Sequence, residues 1–183
     1  MMSTHTPRIA MVIAPETFRD EEYVIPRKCF EDAGCQVTVF STRLGEALGA
    51  YGAVVTIDAD LTQTPPTPET YDALMLVGGF GSVTHLIPNP EVHAILRAFA
   101  QAQKPTSAIC ISPMALAKAG VLAHKQATVW ACEDSLACFQ QAEVSYQEAP
   151  VVQDGHFLTG NGPDASEAFA MQLVAMCRGA VSV

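Results

Sequence analysis

Apolar residues in this chain fall into short continuous runs separated by segments of helical period. Arg8 to Ala14 reads Arg-Ile-Ala-Met-Val-Ile-Ala, the pattern of a strand buried on both faces of a parallel sheet. A helix is predicted over Asp20 to Gly34, with Asp20, Glu21 and Glu22 in its first turn and Gly34 at its end. Strands are predicted over Gln36 to Ser41 and Val54 to Ala59, the latter as an antiparallel excursion. Thr62 to Thr70, with three prolines, reads as a loop. Tyr71 to Val77 is a second fully buried strand, ending in the glycine loop Gly78-Gly79-Phe80-Gly81.

The second half continues the alternation. Glu91 to Gln103 is an amphipathic helix with Val92, Ile95, Leu96 and Phe99 on one face. Pro105 to Cys110 is strand, Pro113 to Ala119 helix, and Gly120 closes that helix. Short strands over Ala127 to Trp130, Val144 to Tyr146, Val151 to Val152 and His156 to Thr159 surround a helix over Ser135 to Gln141. Asp154-Gly155 is the expected hairpin turn. Asp164 to Arg178 closes the chain as a helix. Strands alternating with helices imply a single doubly wound α/β domain over residues 1–183, its mostly parallel sheet covered on both faces. Residues 1–7 are expected to be a flexible tail. In such sheets the sites lie at the carboxyl ends of the strands.

Composition narrows the function classes. Of 183 residues, 49% are hydrophobic and 16% charged, enough for a real core. Ten basic residues stand against 19 acidic ones, a net charge of -9 without a basic cluster, so no nucleic acid partner is expected. The polar residues Met1 to Thr6 do not resemble a secretory signal. No apolar stretch approaches the roughly 20 residues that cross a bilayer. A soluble cytoplasmic protein without a membrane partner is therefore expected. The six cysteines (Cys29, Cys35, Cys110, Cys132, Cys138 and Cys177) match neither a disulfide framework nor the usual zinc spacing. Free thiols, no metal and no cofactor follow as expectations.

The candidate chemistry lies where strand runs directly into helix, at Ser107-Ala108-Ile109-Cys110-Ile111-Ser112-Pro113. Small flanks, here Ala108 and Ser112, allow the sharp turn of a nucleophile elbow and leave Cys110 accessible. The helix that follows is expected to lower the Cys110 pKa through its amides and dipole. The alternative is a packing cysteine. A thiolate attacking a carbonyl needs oxyanion donors, for which the amides of Ile111 and Gly79 are the candidates. Glu22 is the candidate acid or base, expected to hold its proton beside the sulfur; Asp20 and Glu21 share its first turn. No histidine among His5, His85, His93, His124 and His156 follows the nucleophile. Cys132, just past Trp130, is either a resolving thiol for oxidised Cys110 or a packing residue at a helix start.

Four segments in this order and spacing resemble the ThiJ/PfpI superfamily, which includes the Parkinson-disease protein deglycase. They are Phe18-Arg-Asp-Glu-Glu-Tyr-Val-Ile-Pro26, Asp72-Ala-Leu-Met-Leu-Val-Gly-Gly79, Lys104-Pro-Thr-Ser-Ala-Ile-Cys110 and Leu158-Thr-Gly-Asn-Gly-Pro163. The resemblance implies a flavodoxin-like sheet of the class I glutamine amidotransferase type and a homodimer. It implies Cys110 as nucleophile and Glu22, four residues before Pro26, as its partner, with Gly79 and Ile111 at the oxyanion. Activities in the superfamily include cofactor-free glyoxalase, deglycation, peptide hydrolysis, isonitrile hydration and oxidation sensing. Peptidase members carry a histidine after the nucleophile and an acid in the glycine loop. Here Ile111 holds the first position and Phe80 to His85 contains no acid. Trp130 stands where one branch has a pocket histidine, and Ser112 where many members have glycine. An apolar pocket of Gly78, Phe80, Trp130 and Ser112 is expected around Cys110. The functions implied are a glyoxalase- or deglycase-like stress enzyme acting on small carbonyl substrates, or an oxidation sensor.

Overall fold

The computed structural model describes residues 5–179. Of the tail expected over residues 1–7, residues 1–4 lie outside the described residues. Pro7 is buried, and its carbonyl accepts from the Gln36 amide at 2.8 Å.

Seven strands form the central sheet: β1 (Arg8–Val12), β3 (Gln36–Ser41), β6 (Ala59–Asp60), β7 (Ala73–Leu76), β8 (Thr106–Ile109), β11 (Val151–Asp154) and β12 (Phe157–Gly160). Their order is β11-β12-β8-β7-β1-β3-β6, parallel throughout except for the β11–β12 edge hairpin. The inner strands β1, β7, β8 and β12 carry almost wholly buried side chains, which explains their unbroken apolar runs. Helices α1 (Asp20–Asp32) and α6 (Ser166–Cys177) pack together. So do α3 (Pro90–Gln101) and α4 (Pro113–Lys118), and α4 packs in turn on α5 (Glu133–Gln141). This is the expected flavodoxin-like arrangement. Among the described residues no helix is long and apolar enough to cross a membrane.

Two small sheets depart from the predicted elements. The segment Pro15 to Glu22 contains a strand, β2 (Glu16–Phe18), which pairs with β4 (Gly45–Gly49). Strand β4 forms an antiparallel hairpin with β5 (Val54–Ile57), so the predicted excursion is real but ends before Ala59, which belongs to β6. Strands β9 (Gln126–Ala127) and β10 (Ser145–Tyr146) pair parallel. The glycine loop gives way to a one-and-a-half-turn helix, α2 (Phe80–His85). The β11–β12 hairpin turns on Gly155-His156, one residue later than predicted, because Asp154 pairs with Phe157. The closing helix is preceded by a 3-10 turn over Pro163–Ala165.

Register brings the loops of interest to one level. Val12 pairs with Leu76, Leu76 with Ala108, and Ala108 with Thr159. One to two residues past that row come Gly160, Gly78 and Cys110. The chain after β1 turns back as α1 over the same edge. It is here that the winding reverses, with β3 on one side of β1 and β7 on the other.

Candidate active site

Cys110 sits at the tip of the β8–α4 turn with φ 63°. Gln103 and Glu143 also have positive φ, but they follow helix ends, where the left-handed conformation is routine. Cys110 holds it between a strand and a helix, at a cost of about 1–2 kcal/mol. Backbone bonds offset the strain: the Cys110 amide donates to the Gly160 carbonyl at 2.9 Å, and the Trp130 amide donates to the Cys110 carbonyl at 2.7 Å. The side chain is thereby aimed off the sheet toward α1.

Glu22 meets it from α1. The side chain is fully buried, and its carboxyl and the Cys110 side chain both lie against Gly78. Oε2 accepts from the Gly78 amide at 3.0 Å. Oε1 is buried with no hydrogen-bond partner among the described residues. A carboxylate in this position is short of donors, whereas a protonated carboxyl donates to sulfur. Burial accordingly pushes Glu22 from its usual value near 4.5 up to about 7.

The expectation of a lowered thiol pKa is corrected. Burial, then the charge and hydrogen bond of Glu22, push Cys110 up to about 12. The amides of Ile111 and Gly79 act in the opposite direction but do not prevail. Helix α4 begins at Pro113, which has no N–H to offer. Two like charges cannot sit at hydrogen-bond distance in a desolvated pocket, so the pair behaves as one unit. It holds two protons below about 7 and one across the range above it.

Glycines make this approach possible. A Cβ on Gly78 would lie 2.5 Å from Glu22 Oε2 and 2.6 Å from the Cys110 Cβ. Gly79 adopts φ 104°, which turns its amide toward the sulfur.

A cleft of about 490 Å³ opens over the thiol. Gly79, Phe80, Cys110, Ile111 and Trp130 line it as expected. Gly78 and Ser112 do not, and their assignment as pocket residues is corrected. Gly78 is buried beneath the carboxyl. Ser112 is fully buried, donating from Oγ to the Val77 carbonyl at 2.7 Å and pairing with Ser82 Oγ at 2.6 Å. Its small size serves a clamp between α4 and α2.

The lining includes residues not expected there from the sequence: Arg19, Tyr51, Met114, Cys132 (expected as a resolving thiol or a packing residue) and Asp134. Asp20 places Tyr51, because its carboxylate accepts from the amides of Tyr51 at 2.9 Å and Ala53 at 2.7 Å. Glu21 instead forks the Arg19 guanidinium at 2.8 and 3.2 Å. Of the three first-turn acids only Glu22 faces the sulfur. No histidine lines the cleft, and His85 pairs with Glu16 at 3.1 Å. All six cysteines are free. Among the described residues no group of three acids, histidines or cysteines is placed to hold a metal ion.

A doubly wound α/β domain with an elbow cysteine against a buried carboxyl defines the class, and the comparisons give its family. The DJ-1/PfpI family profile matches residues 7–176, and the chain belongs to that family. It is 36% identical over 167 residues to an uncharacterised protein of Methanocaldococcus jannaschii, covering 91% of this chain and 80% of that one. An uncharacterised Staphylococcus aureus protein is 31% identical over 172 residues, covering 92% and 97%. Among solved structures, a ThiJ/PfpI domain protein from Brachyspira murdochii superposes with TM-score 0.88 at 28% identity, covering 97% of this chain and 99% of that one. Drosophila melanogaster DJ-1beta superposes with TM-score 0.78 at 25% identity, covering 95% and 92%.

Proposed function

We propose that the protein is a cofactor-free cysteine enzyme acting on small 2-oxoaldehydes or their adducts, in the manner of a glyoxalase- or deglycase-like stress protein. One observation carries this reading: the fully buried Glu22 carboxyl and the elbow cysteine Cys110 lie side by side against Gly78, at the mouth of the cleft lined by Gly79 and Ile111; burial there pushes Glu22 up to about 7. The Cys110 thiol passes its proton to the Glu22 carboxylate as the sulfur attacks the aldehyde carbon, and the carbonyl electron pair moves to oxygen under the two amides. Glu22 protonates that oxygen to complete the hemithioacetal. As a carboxylate it then takes the proton from the same carbon, the hydroxyl proton passes to the neighbouring carbonyl oxygen through the enediol, and Glu22 returns the carbon's proton to the adjacent carbon. This internal redox step yields a 2-hydroxy thioester without an external oxidant. Water cleaves the thioester to the hydroxy acid and restores the thiol. The family resemblance supports a homodimer as the working form, and the net charge of -9 argues against a nucleic acid partner. Purified protein incubated with methylglyoxal, without glutathione, is expected to form lactate detectable by proton NMR. No lactate, with Cys110 shown reduced by mass spectrometry, would overturn the reading.

A second reading, oxidation sensing, is favoured by the unpartnered Glu22 Oε1. A proton held there would donate to a sulfinate oxygen on Cys110. Low peroxide should then oxidise Cys110 ahead of the other five thiols. Equal rates at all six exclude the sensor, while loss of two hydrogens rather than gain of oxygen would assign Cys132, which lines the same cleft, as a disulfide partner.

A further inference from the structure

We propose that the cleft over Cys110 prefers uncharged carbonyl electrophiles carrying an aryl group over three-carbon oxoaldehydes, which it also admits; this rests on the reading of Cys110 as nucleophile. Size is the first ground. At about 490 Å³ the cleft falls in the range of sites for ligands of many heavy atoms. A three-carbon oxoaldehyde fills the space of about three waters, on the order of 90 Å³. A substrate that small touches the sulfur and leaves most of the wall bare.

The wall is the second ground. Three aromatic side chains border the cleft while largely exposed: Phe80 at 84%, Tyr51 at 70% and Trp130 at 52%. Trp130 is nonetheless fixed. Its backbone is bonded to Cys110 on one side and to Ser135 Oγ, at 2.6 Å, on the other. Its ring lies against Gly162, where a Cβ would meet Trp130 Cε3 at 3.1 Å. A held ring with an open face offers stacking without an ordering cost. Ile111 and Met114 extend the apolar floor.

Charge is the third ground. Arg19 and Asp134 are the charged residues of the lining. The Arg19 guanidinium is already forked on Glu21, stacked 4.7 Å from the Tyr51 ring and bonded to the Tyr51 hydroxyl at 3.2 Å. It holds the wall in place and is not available as an anion clamp. Carboxylated or phosphorylated carbonyls therefore find no strong partner, whereas an aryl group finds ring faces on several sides.

Alkylation of Cys110 tests this independently of turnover. Phenacyl bromide and bromoacetone each form a carbon–sulfur bond with loss of bromide, and differ in phenyl against methyl. Their rate ratio at Cys110, followed by peptide mass spectrometry, is compared with the ratio for glutathione. The protein ratio is expected to exceed that of glutathione by about tenfold or more. Trp130→Ala is expected to lower it by about two- to tenfold, the worth of one aromatic contact. Phe80→Ala, at the most exposed ring and so tolerated by the fold, should lower it in the same direction. A protein ratio equal to that of glutathione, or one unmoved by both variants, overturns the proposal. Aryl selectivity in a protein that forms no hydroxy acid would overturn the enzymatic reading alone.

Discussion

Replacing Cys110 by alanine or by glycine is expected to abolish oxoaldehyde turnover, with a loss of about 10³-fold or more, as when the nucleophile of a covalent mechanism is removed. Neither Glu22 nor the other cysteines substitutes for it, because no other thiol lies against both the carboxyl and the two amides. The two variants should differ in stability. Alanine inherits the φ of 63° and its strain, whereas glycine adopts that conformation freely. Cys110→Gly should therefore gain about 1 kcal/mol over Cys110→Ala, partly offset by the greater freedom of the unfolded glycine. Thermal melts of the two variants, beside steady-state kinetics, separate strain held for function from simple packing. If Cys110→Ala retains wild-type turnover, the elbow is structural. If glycine is no more stable than alanine, the left-handed backbone carries no cost here.

The elbow and its acid were legible before any coordinates because their signals are local: small flanks at Ala108 and Ser112, and acids loaded at a helix start. The inner strands were legible for a related reason, since burial on both faces leaves an unbroken apolar run. Strands β2 and β4 were not. Each buries one side chain, Phe18 and Ala47 respectively, so neither carries a period. Helix α2 is too short for one, and its Gly81 and Ser82 are the buried positions. Tyr51 reads as a turn residue between Gly49 and Gly52. The Asp20 carboxylate, reaching its amide from α1, and the Arg19 guanidinium, on its ring and hydroxyl, bring it to the cleft. The direction of the Cys110 shift was missed because desolvation is a property of the folded surroundings. A helix start visible in sequence could not show how deeply the thiol lies. Ser112 misled similarly: a small flank permits a turn, but whether it faces ligand or core is decided by what packs on it.

Glu22→Gln should produce opposite effects on stability and on chemistry. Glutamine retains an acceptor for the Gly78 amide and a donor toward sulfur, so it reproduces the protonated carboxyl without being able to ionise. In the native protein Glu22 is raised from near 4.5 to about 7, so between those values the folded state binds more protons than the unfolded chain. Stability then falls as pH rises through that window, by about 3 kcal/mol in all, and is greatest below it. Glu22→Gln lacks this loss. Its melting temperature should match wild type near pH 4 and exceed it by about 5–10 °C above pH 8. Alkylation of Cys110 should report the same coupling. Wild type is expected to show a rise near pH 7, as the pair loses its first proton, and a second toward 12. Glutamine leaves a single rise at an intermediate pH, because the thiol no longer faces a carboxylate but remains desolvated. Turnover should fall despite the added stability, since no group remains to carry a proton between substrate carbons. Wild-type and glutamine alkylation profiles that superimpose would show that the two groups do not share a proton. The buried acid would then be a packing feature of α1, and the proposed chemistry would lose its proton carrier.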